Sequence, residues 1–142
     1  MNTLNFYQQE LGRLRAAIFP TRYMFEQVGQ AKMFIDKYYA SDIDLDNISS
    51  KAFFSKFHFI RLFKSIYDKT PHQYLTFVRI EKAKALLASG KSITATCSLV
   101  GFKSITSFTA LFKKATGLTP AAYQEKQYGH LPCPVLPFKY VQ

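Results

Sequence analysis

Several things are scarce in this sequence of 142 residues, and each shortage excludes a class of protein. Tryptophan is absent, cysteine occurs only twice, and nine acidic residues face nineteen basic ones. Two thiols without a secretory leader argue against a disulfide framework. No run of about 18 apolar residues occurs, and the start lacks the basic and apolar regions of a signal peptide. We therefore expect a cytoplasmic protein with no membrane segment.

Motifs for catalysis and metal binding are also lacking. The sequence contains no phosphate-cradling glycine loop and no nucleophile elbow. The acidic segment 42–46 (DIDLD) is similar to the start of a calcium loop, but the twelfth position from Asp42 is Phe53, where a glutamate is required. We expect this segment to cap a helix instead. His130 and Cys133 have no second pair at zinc spacing. The sequence thus predicts no catalytic residue, no cofactor and no metal site.

Basic charge is plentiful and is concentrated in the middle of the chain. The net charge is +10, and the segment from Lys51 to Lys114 holds twelve basic residues against two acidic ones, Asp68 and Glu81. A strongly basic chain favours a polyanion as its partner. Hydrophobic residues make up 48% of the sequence, enough for one folded domain with short appended segments.

The basic region contains an internal repeat at an offset of 49 residues. Nine identities fall in the window from Phe53 to Tyr74, where about one or two are expected by chance. The identical pairs are Phe53/Phe102, Ser55/Ser104, Phe59/Phe108, Leu62/Leu111, Phe63/Phe112, Lys64/Lys113, Thr70/Thr119, Pro71/Pro120 and Tyr74/Tyr123. The same structural unit therefore occurs twice.

Each copy predicts an amphipathic helix, near 55–66 and near 104–115, with Ser55 or Ser104 as its N-cap. Apolar residues at i, i+3, i+4 and i+7 give the buried face: Phe59, Leu62, Phe63 and Ile66 in the first copy, and Phe108, Leu111, Phe112 and Ala115 in the second. The opposite faces carry Phe57, Ile60, Arg61 and Lys64, and Thr106, Thr109, Ala110 and Lys113. We expect these opposite faces to meet a partner.

Shorter helical patterns precede both amphipathic helices, at Leu45–Ala52 and Ile93–Val100. Gly101 stands where the second turn needs a left-handed residue. A short helix, a tight turn and a longer helix make a helix-turn-helix. Thr-Pro pairs at 70–71 and 119–120 start further helices, and the helix from Pro71 to about Ala88 connects the two units.

The flanking segments complete the predicted organisation. Residues 1–27 form an N-terminal extension, partly helical through Leu4, Tyr7, Leu11, Leu14 and Ile18, with a stop at Phe19-Pro20. A supporting helix is expected over Val28–Tyr39, through Val28, Ala31, Phe34, Ile35 and Tyr38, at the start of a DNA-binding domain spanning 28–126. The proline-rich tail, 127–142, is expected to be extended or disordered. Cys97 is expected to be a small core residue.

These residues together resemble the DNA-binding domain of AraC-type (arabinose-regulator-like) transcription factors. The resemblance covers roughly residues 28–126, and its most specific part is GFKSITSFTALFKKATGLTPAAY, residues 101–123. It implies an all-α fold of seven helices, with two helix-turn-helix subdomains joined by a long connecting helix. It also implies a bacterial regulator whose two recognition helices enter successive major grooves of double-stranded DNA.

The resemblance also implies which residues contact DNA. The base-reading positions are Phe57, Ile60, Arg61, Ile105, Thr106, Thr109 and Ala110. The backbone contacts expected from the helix N-termini and nearby lysines are Ser55, Lys56, Lys64, Lys103, Ser104, Lys113 and Lys114. Ala52-Phe53 and Asp68 stand where the family usually has glycine, which predicts a different turn or packing. Ala110 stands where an arginine is common.

Two functions remain open at this point. The first is a transcription regulator, which could read a non-palindromic site as a monomer because two recognition helices lie in one chain. The second is an adaptor that binds another regulator or RNA polymerase without a specific DNA site of its own. For Arg79, Lys82 and Lys84 on the connecting helix, a structural role and phosphate contact are equally open. The oligomeric state, any effector and the direction of regulation do not follow from the sequence.

Overall fold

The computed structural model describes residues 3–51 and 55–129, and these form seven α-helices without a strand. The helices are α1 Thr3–Tyr38, α2 Leu45–Lys51, α3 Lys56–Tyr67, α4 Pro71–Ala88, α5 Ile93–Leu99, α6 Ile105–Thr116 and α7 Pro120–Tyr128. The chain divides into unit 1, Met1–Leu75, and unit 2, Thr76–Gln142, with α4 continuing through the boundary. The all-α prediction is confirmed. The first turn at 52–54 and most of the proline-rich tail, 130–142, lie outside the described residues.

The predicted helix stop at Phe19-Pro20 is wrong. A single helix, α1, runs from Thr3 to Tyr38 and includes the segment predicted as a separate supporting helix. A proline inside a helix removes one backbone hydrogen bond and clashes with the preceding turn, which a local kink can relieve. The sequence around Pro20 has no glycine nearer than Gly12 and Gly29, so the helix can continue on both sides of it.

The core of unit 1 is built around the first amphipathic helix of the repeat. Its buried residues are Val28, Ala31 and Ile35 of α1, Phe59 and Phe63 of α3, and Leu75 of α4. Phe34 and Tyr38, predicted on the packed face of α1, remain substantially exposed and stack on each other with ring centroids 4.7 Å apart. The buried face of α1 is narrower than predicted and contains Val28, Ala31 and Ile35.

Unit 2 repeats this arrangement. Its buried residues are Ile80, Ala83 and Leu87 of α4, Cys97 and Val100 around α5, and Phe108 and Phe112 of α6. Cys97 is a core residue as predicted, and burial raises the pKa of its thiol. Ala115, predicted on the buried face, is exposed. It lies in the last turn of α6, and its single methyl group has little apolar area to bury.

The two copies share their caps and their aromatic packing. The N-cap serines accept hydrogen bonds from backbone N–H groups three residues on, Ser55 from His58 and Ser104 from Ser107. Thr70 and Thr119 likewise accept from the N–H groups of Gln73 and Ala122. The ring centroids of Phe63 and Tyr74 lie 5.7 Å apart, and those of Phe112 and Tyr123 lie 5.4 Å apart. The sequence repeat is therefore a structural repeat.

Helices α3 and α6 also end alike, although the C-cap is Asp68 in one and Gly117 in the other. Both residues are left-handed, with φ of 58° and 79°, and each donates its backbone N–H to the carbonyl four residues earlier. The expectation that Asp68 alters this end of the unit is wrong. An aspartate tolerates the left-handed region better than most residues, so it can replace the glycine here.

We expect Gly117→Ala to lower the free energy of unfolding by about 1 kcal/mol, because a side chain at this φ is strained. No atom lies within 4 Å of the added Cβ, so steric overlap contributes nothing. Gly29→Ala is the matched control: Gly29 lies within α1 with the same open surroundings, and alanine there should stabilise by up to about 1 kcal/mol. Urea denaturation measures both, and equal effects of the two substitutions would contradict the strain argument.

A polar network in unit 1 ties α1 to α4. Asp36 accepts hydrogen bonds from Lys32 Nζ and from the Tyr74 hydroxyl, each at 2.7 Å. The ammonium group of Lys32 also lies over the rings of Tyr74 and Tyr67, at 5.3 and 5.9 Å. The hydrogen bond to Asp36 raises the pKa of Lys32, and burial raises the pKa of Tyr74.

We expect unit 1 to lose stability in alkaline solution. Both pKa values are higher in the folded chain, so the stabilisation is complete below the unfolded values of about 10 and is lost as the pH rises through the folded values. Thermal melts between neutral pH and about pH 11 should show a falling Tm. Tyr74→Phe should make that fall less steep. A Tm with the same pH dependence in both proteins would show that the network does not control it.

Candidate nucleic-acid interface

The first candidate surface is the outward face of α3. Ser55, Lys56, Phe57 and Arg61 are exposed, and Phe57 leaves 74% of its surface in solvent. Ile60 differs from this group because it is half-buried and packs against the unit 1 core. A phenylalanine this exposed contributes little to folding, so its apolar surface is available to a partner.

Arg61 offers more hydrogen-bond donors than any other side chain proposed on this face. It lies one turn after Phe57, and its Nε donates to the Phe57 carbonyl at 3.4 Å. This contact is long for a hydrogen bond and uses only one of the five N–H donors of the guanidinium group. The remaining donors suit bidentate contact with O6 and N7 of guanine in the major groove.

The second candidate surface is the outward face of α6. Ile105 is 46% exposed, Thr106 and Ala110 are also exposed, and Thr109 is half-buried. Hydroxyl and methyl groups make looser base contacts than a guanidinium group. The face of α6 therefore offers weaker base discrimination than that of α3.

Lysines border both faces at repeated positions. Lys64 and Lys113 are exposed in the last turns of α3 and α6. Lys103, Ser104 and Lys114 are also exposed in unit 2. The N-terminal N–H groups of α3 and α6 add partial positive charge at the opposite end of each helix, near Lys56 and Lys103. Such a border suits the sugar-phosphate backbone rather than the bases.

The turn of the second helix-turn-helix has the predicted glycine geometry. Gly101 has φ of 89°. Its N–H donates to the Ser98 carbonyl, and the Phe102 N–H donates to the Cys97 carbonyl at 3.0 Å. These bonds close the end of α5 and direct the chain into α6.

Arg79 and Lys84 of the connecting helix α4 have structural contacts. Arg79 stacks on the Phe102 ring at 5.6 Å, which fixes α4 against the turn of unit 2. Lys84 pairs with Glu81 at 2.8 Å, and this hydrogen bond raises the pKa of Lys84. For these two residues the structural alternative is favoured over phosphate contact.

The acidic segment 42–46, at the start of α2, has two functions in the structure, of which the sequence predicted one. Asp44 Oδ1 accepts the N–H of Asp46 at 2.9 Å and caps α2, as predicted. Asp46 also pairs with Lys56 Nζ at 2.6 Å. Lys56, which the sequence predicts to contact a phosphate, is therefore already paired with the carboxylate of Asp46. Asp46 and Lys56 lie ten positions apart, and no periodic signal in the sequence links them, so the sequence could not have shown this pair.

The described part of the chain contains no group of three or more His, Cys, Asp or Glu residues placed to hold a metal ion. None of its helices is both long enough and apolar enough to cross a membrane.

The chain is similar in sequence to known helix-turn-helix proteins. Residues 48–126 match the family described as "Helix-turn-helix domain". The chain is 36% identical over 92 residues to the probable transcriptional regulator LumQ of Photobacterium leiognathi, covering 64% of this chain and 37% of that protein. The chain thus spans little more than a third of the length of this relative.

Solved structures share the fold. The DNA-binding domain of AdpA, a global transcriptional factor solved in complex with a target DNA, matches 75% of this chain and 96% of its own with a TM-score of 0.69 at 23% identity. A probable AraC family transcriptional regulator from Rhodopseudomonas palustris matches 72% of this chain and 97% of its own, with a TM-score of 0.64 at 19% identity.

Proposed function

The chain belongs to the AraC-type helix-turn-helix family, and from that premise we propose that it is a sequence-specific DNA-binding regulator of transcription. The observation that carries this proposal is the duplicated unit, in which α3 and α6 have the same caps, the same buried phenylalanines and outward faces bordered by lysine. Two such helices in one basic chain suit a long duplex site. The solved AdpA domain, which shares the fold, is bound to DNA.

The proposed contacts follow the exposure of each residue. Phe57, Arg61, Ile105, Thr106 and Ala110 face the bases, and Ile60 and Thr109 present only part of their surface. Ser55, Lys56, Lys64, Lys103, Ser104, Lys113 and Lys114 contact phosphates. In this arrangement the phosphate contacts position the helices and the base contacts select the sequence.

We propose no catalytic role, since the family match covers the helix-turn-helix region and the relative named above is a probable transcriptional regulator. The protein would then act in the cytoplasm of a bacterial cell, where its DNA is. In this proposal, RNA polymerase or another regulator would be a second partner, and it would bind this protein only after this protein is bound to its DNA site.

A gel-shift titration on random duplex DNA at low salt is the first test of DNA binding. We expect a shift at micromolar protein or below, because non-specific binding follows from the basic charge alone. An adaptor without DNA affinity would leave the duplex unshifted. Footprinting on a bound site should then show two protected major-groove segments, and a single segment would mean that only one unit engages DNA.

Asp46→Asn should strengthen binding to all sequences. The substitution removes a negative charge beside the phosphate backbone and frees Lys56 from its 2.6 Å pair. One charge at about 8 Å in water is worth about 0.5 kcal/mol, or roughly a twofold gain in affinity. Asp42→Asn is the control, because it removes the same charge but leaves the Lys56 pair intact. If the two variants bind DNA equally well, the pair does not limit Lys56.

A further inference from the structure

A cavity of about 420 Å³ lies in unit 1, between α2 and the first turns of α3 and α4. Its apolar wall consists of Ile43, Leu45, Phe59, Ile60 and Pro71. A cavity of this volume with an apolar wall is within the range of small-molecule sites. Of its lining residues, only Lys56 and Ile60 belong to the proposed DNA contacts, so the cavity itself has no role in that interface.

The charged groups that line the cavity are mainly acidic. The carboxylates of Asp44 and Asp46 face one ammonium group, that of Lys56, and the remaining titratable residue is His72. With the histidine neutral, two negative charges and one positive leave a formal charge of −1. The chain as a whole carries +10, so the cavity has the opposite sign. An apolar wall beside net negative charge suits a ligand with an apolar body and a cationic group.

Asp46 is the carboxylate placed to pair with such a cation. It binds Lys56 Nζ through Oδ1 at 2.6 Å, and a carboxylate offers about four acceptor sites on its two oxygens. The side chains of Asp46 and Lys56 are 67% and 54% exposed. Exposed ion pairs contribute little to stability, so this one can be exchanged at low cost. The ammonium group of a ligand in the cavity therefore competes with Lys56 for Asp46.

An anionic ligand suits the same cavity less well. It would meet Lys56, but only beside the like charges of Asp44 and Asp46. The hydroxyl of Ser49, which also lines the cavity, already donates to the Asp46 carbonyl at 2.9 Å. Charge complementarity therefore favours a cation over a carboxylate.

We propose that this cavity binds a small amine with an aromatic or branched aliphatic body, whose ammonium group pairs with Asp46 in place of Lys56. The apolar body packs against Leu45 and Phe59, and Lys56 is released towards the DNA backbone. The amine and DNA then strengthen each other's binding by the same factor, about twofold for one charge at about 8 Å in water. This coupling rests on the proposed function, because it needs Lys56 to contact a phosphate, whereas binding of the amine does not.

Three probes with the same apolar body and different charge test the cavity: phenylbutylamine, phenylbutanol and phenylbutyrate. Each is titrated into the full chain without DNA and followed by protein-detected NMR. We expect the amine to bind with a Kd on the order of 1 mM or tighter. The alcohol should bind about fivefold more weakly, since one ion pair at about 4 Å in water gives that factor, and the carboxylate more weakly still. The amide signals that shift should be those of α2 and of the first turns of α3 and α4.

Asp46→Asn should abolish the preference for the amine over the alcohol, because it removes the charge that the ammonium group pairs with. Asp42→Asn is the matched control: it removes the same charge four positions earlier, from a residue outside the cavity lining, and should keep the preference. Equal binding of amine and alcohol by the unmodified protein would overturn the proposal. So would shifts confined to other parts of the chain, or an equal loss of preference in the two variants.

Anisotropy titrations of a labelled duplex at constant ionic strength test the coupling. Saturating amine should raise the DNA affinity of the unmodified protein about twofold and leave that of Asp46→Asn unchanged, and the alcohol should change neither. An amine that binds the cavity but alters both proteins equally would overturn the release of Lys56. A protein that binds the amine but no DNA would overturn the proposed function and leave the amine site supported.

Discussion

Affinity for duplex DNA is expected to fall about 10³-fold or more between 50 and 200 mM salt, because on the order of 6 to 10 phosphates would be neutralised. The expectation comes from the lysines that border α3 and α6 and from the N-termini of both helices. Each phosphate contact releases condensed counterions, so the logarithm of the binding constant falls linearly with the logarithm of the salt concentration. Fluorescence anisotropy on one labelled duplex across this salt range gives the slope.

Paired lysine variants show which contacts produce the slope. The double variant Lys64→Ala/Lys113→Ala should reduce the magnitude of the log–log salt slope by about 2, since each substitution removes one phosphate contact. Lys126→Ala is the control, because Lys126 is exposed on α7 outside the proposed interface. A nearly flat plot for the unmodified protein would remove the electrostatic basis of the proposed interface.

Arg61→Ala is expected to cost about 1 to 3 kcal/mol on the preferred site and to relax specificity at one base pair. Arg61 is the only arginine or lysine among the seven proposed base-reading residues, and its repeat partner is Ala110. The hydroxyls of Thr106 and Thr109 discriminate bases less sharply. The first helix-turn-helix should therefore carry most of the sequence discrimination.

Lys113→Ala is the matched comparison for Arg61→Ala. Both substitutions remove one cation from the outward face of a recognition helix, but Lys113 is proposed to contact a phosphate. It should weaken binding to specific and scrambled duplexes by nearly the same factor. If Arg61→Ala also loses the same factor on both duplexes, then Arg61 is a phosphate contact and does not read a base.

Local signals in the sequence were enough to predict most of the helices. Caps such as Ser55 and Ser104, the phenylalanines at helical spacing and the glycine at 101 act over a few residues, and the structure confirms each of them. The repeat was informative because it showed the same set of local signals twice. One copy alone would have predicted only an amphipathic helix with an N-cap, and not a repeated unit.

Interactions between distant residues were not predictable in this way. The Asp36–Tyr74 hydrogen bond joins residues 38 positions apart, and nothing in either segment indicates the other. The error at Pro20 has a different origin. A proline lowers helix stability by a finite amount, about 3 kcal/mol or more, and sequence reasoning treated it as an absolute stop.

The proposed base-reading set shows how exposure refines a sequence pattern. Helical periodicity placed Ile60 on the same face as Arg61, but the boundary between a buried and an exposed face is gradual. Ile60 lies at that boundary and packs partly on the core. Periodicity gives the direction of a side chain, and only the neighbouring helices decide how much of it remains in solvent.

Selection of bound duplexes from a random pool, followed by competition between the selected duplex and its scrambled form, tests sequence-specific binding most directly. We expect a single enriched motif with two conserved segments, bound about 10³-fold or more tightly than the scrambled duplex at physiological salt. A pool that shows no enrichment after repeated rounds, or equal affinity for the selected and scrambled duplexes, would contradict the proposal that this protein reads a DNA sequence.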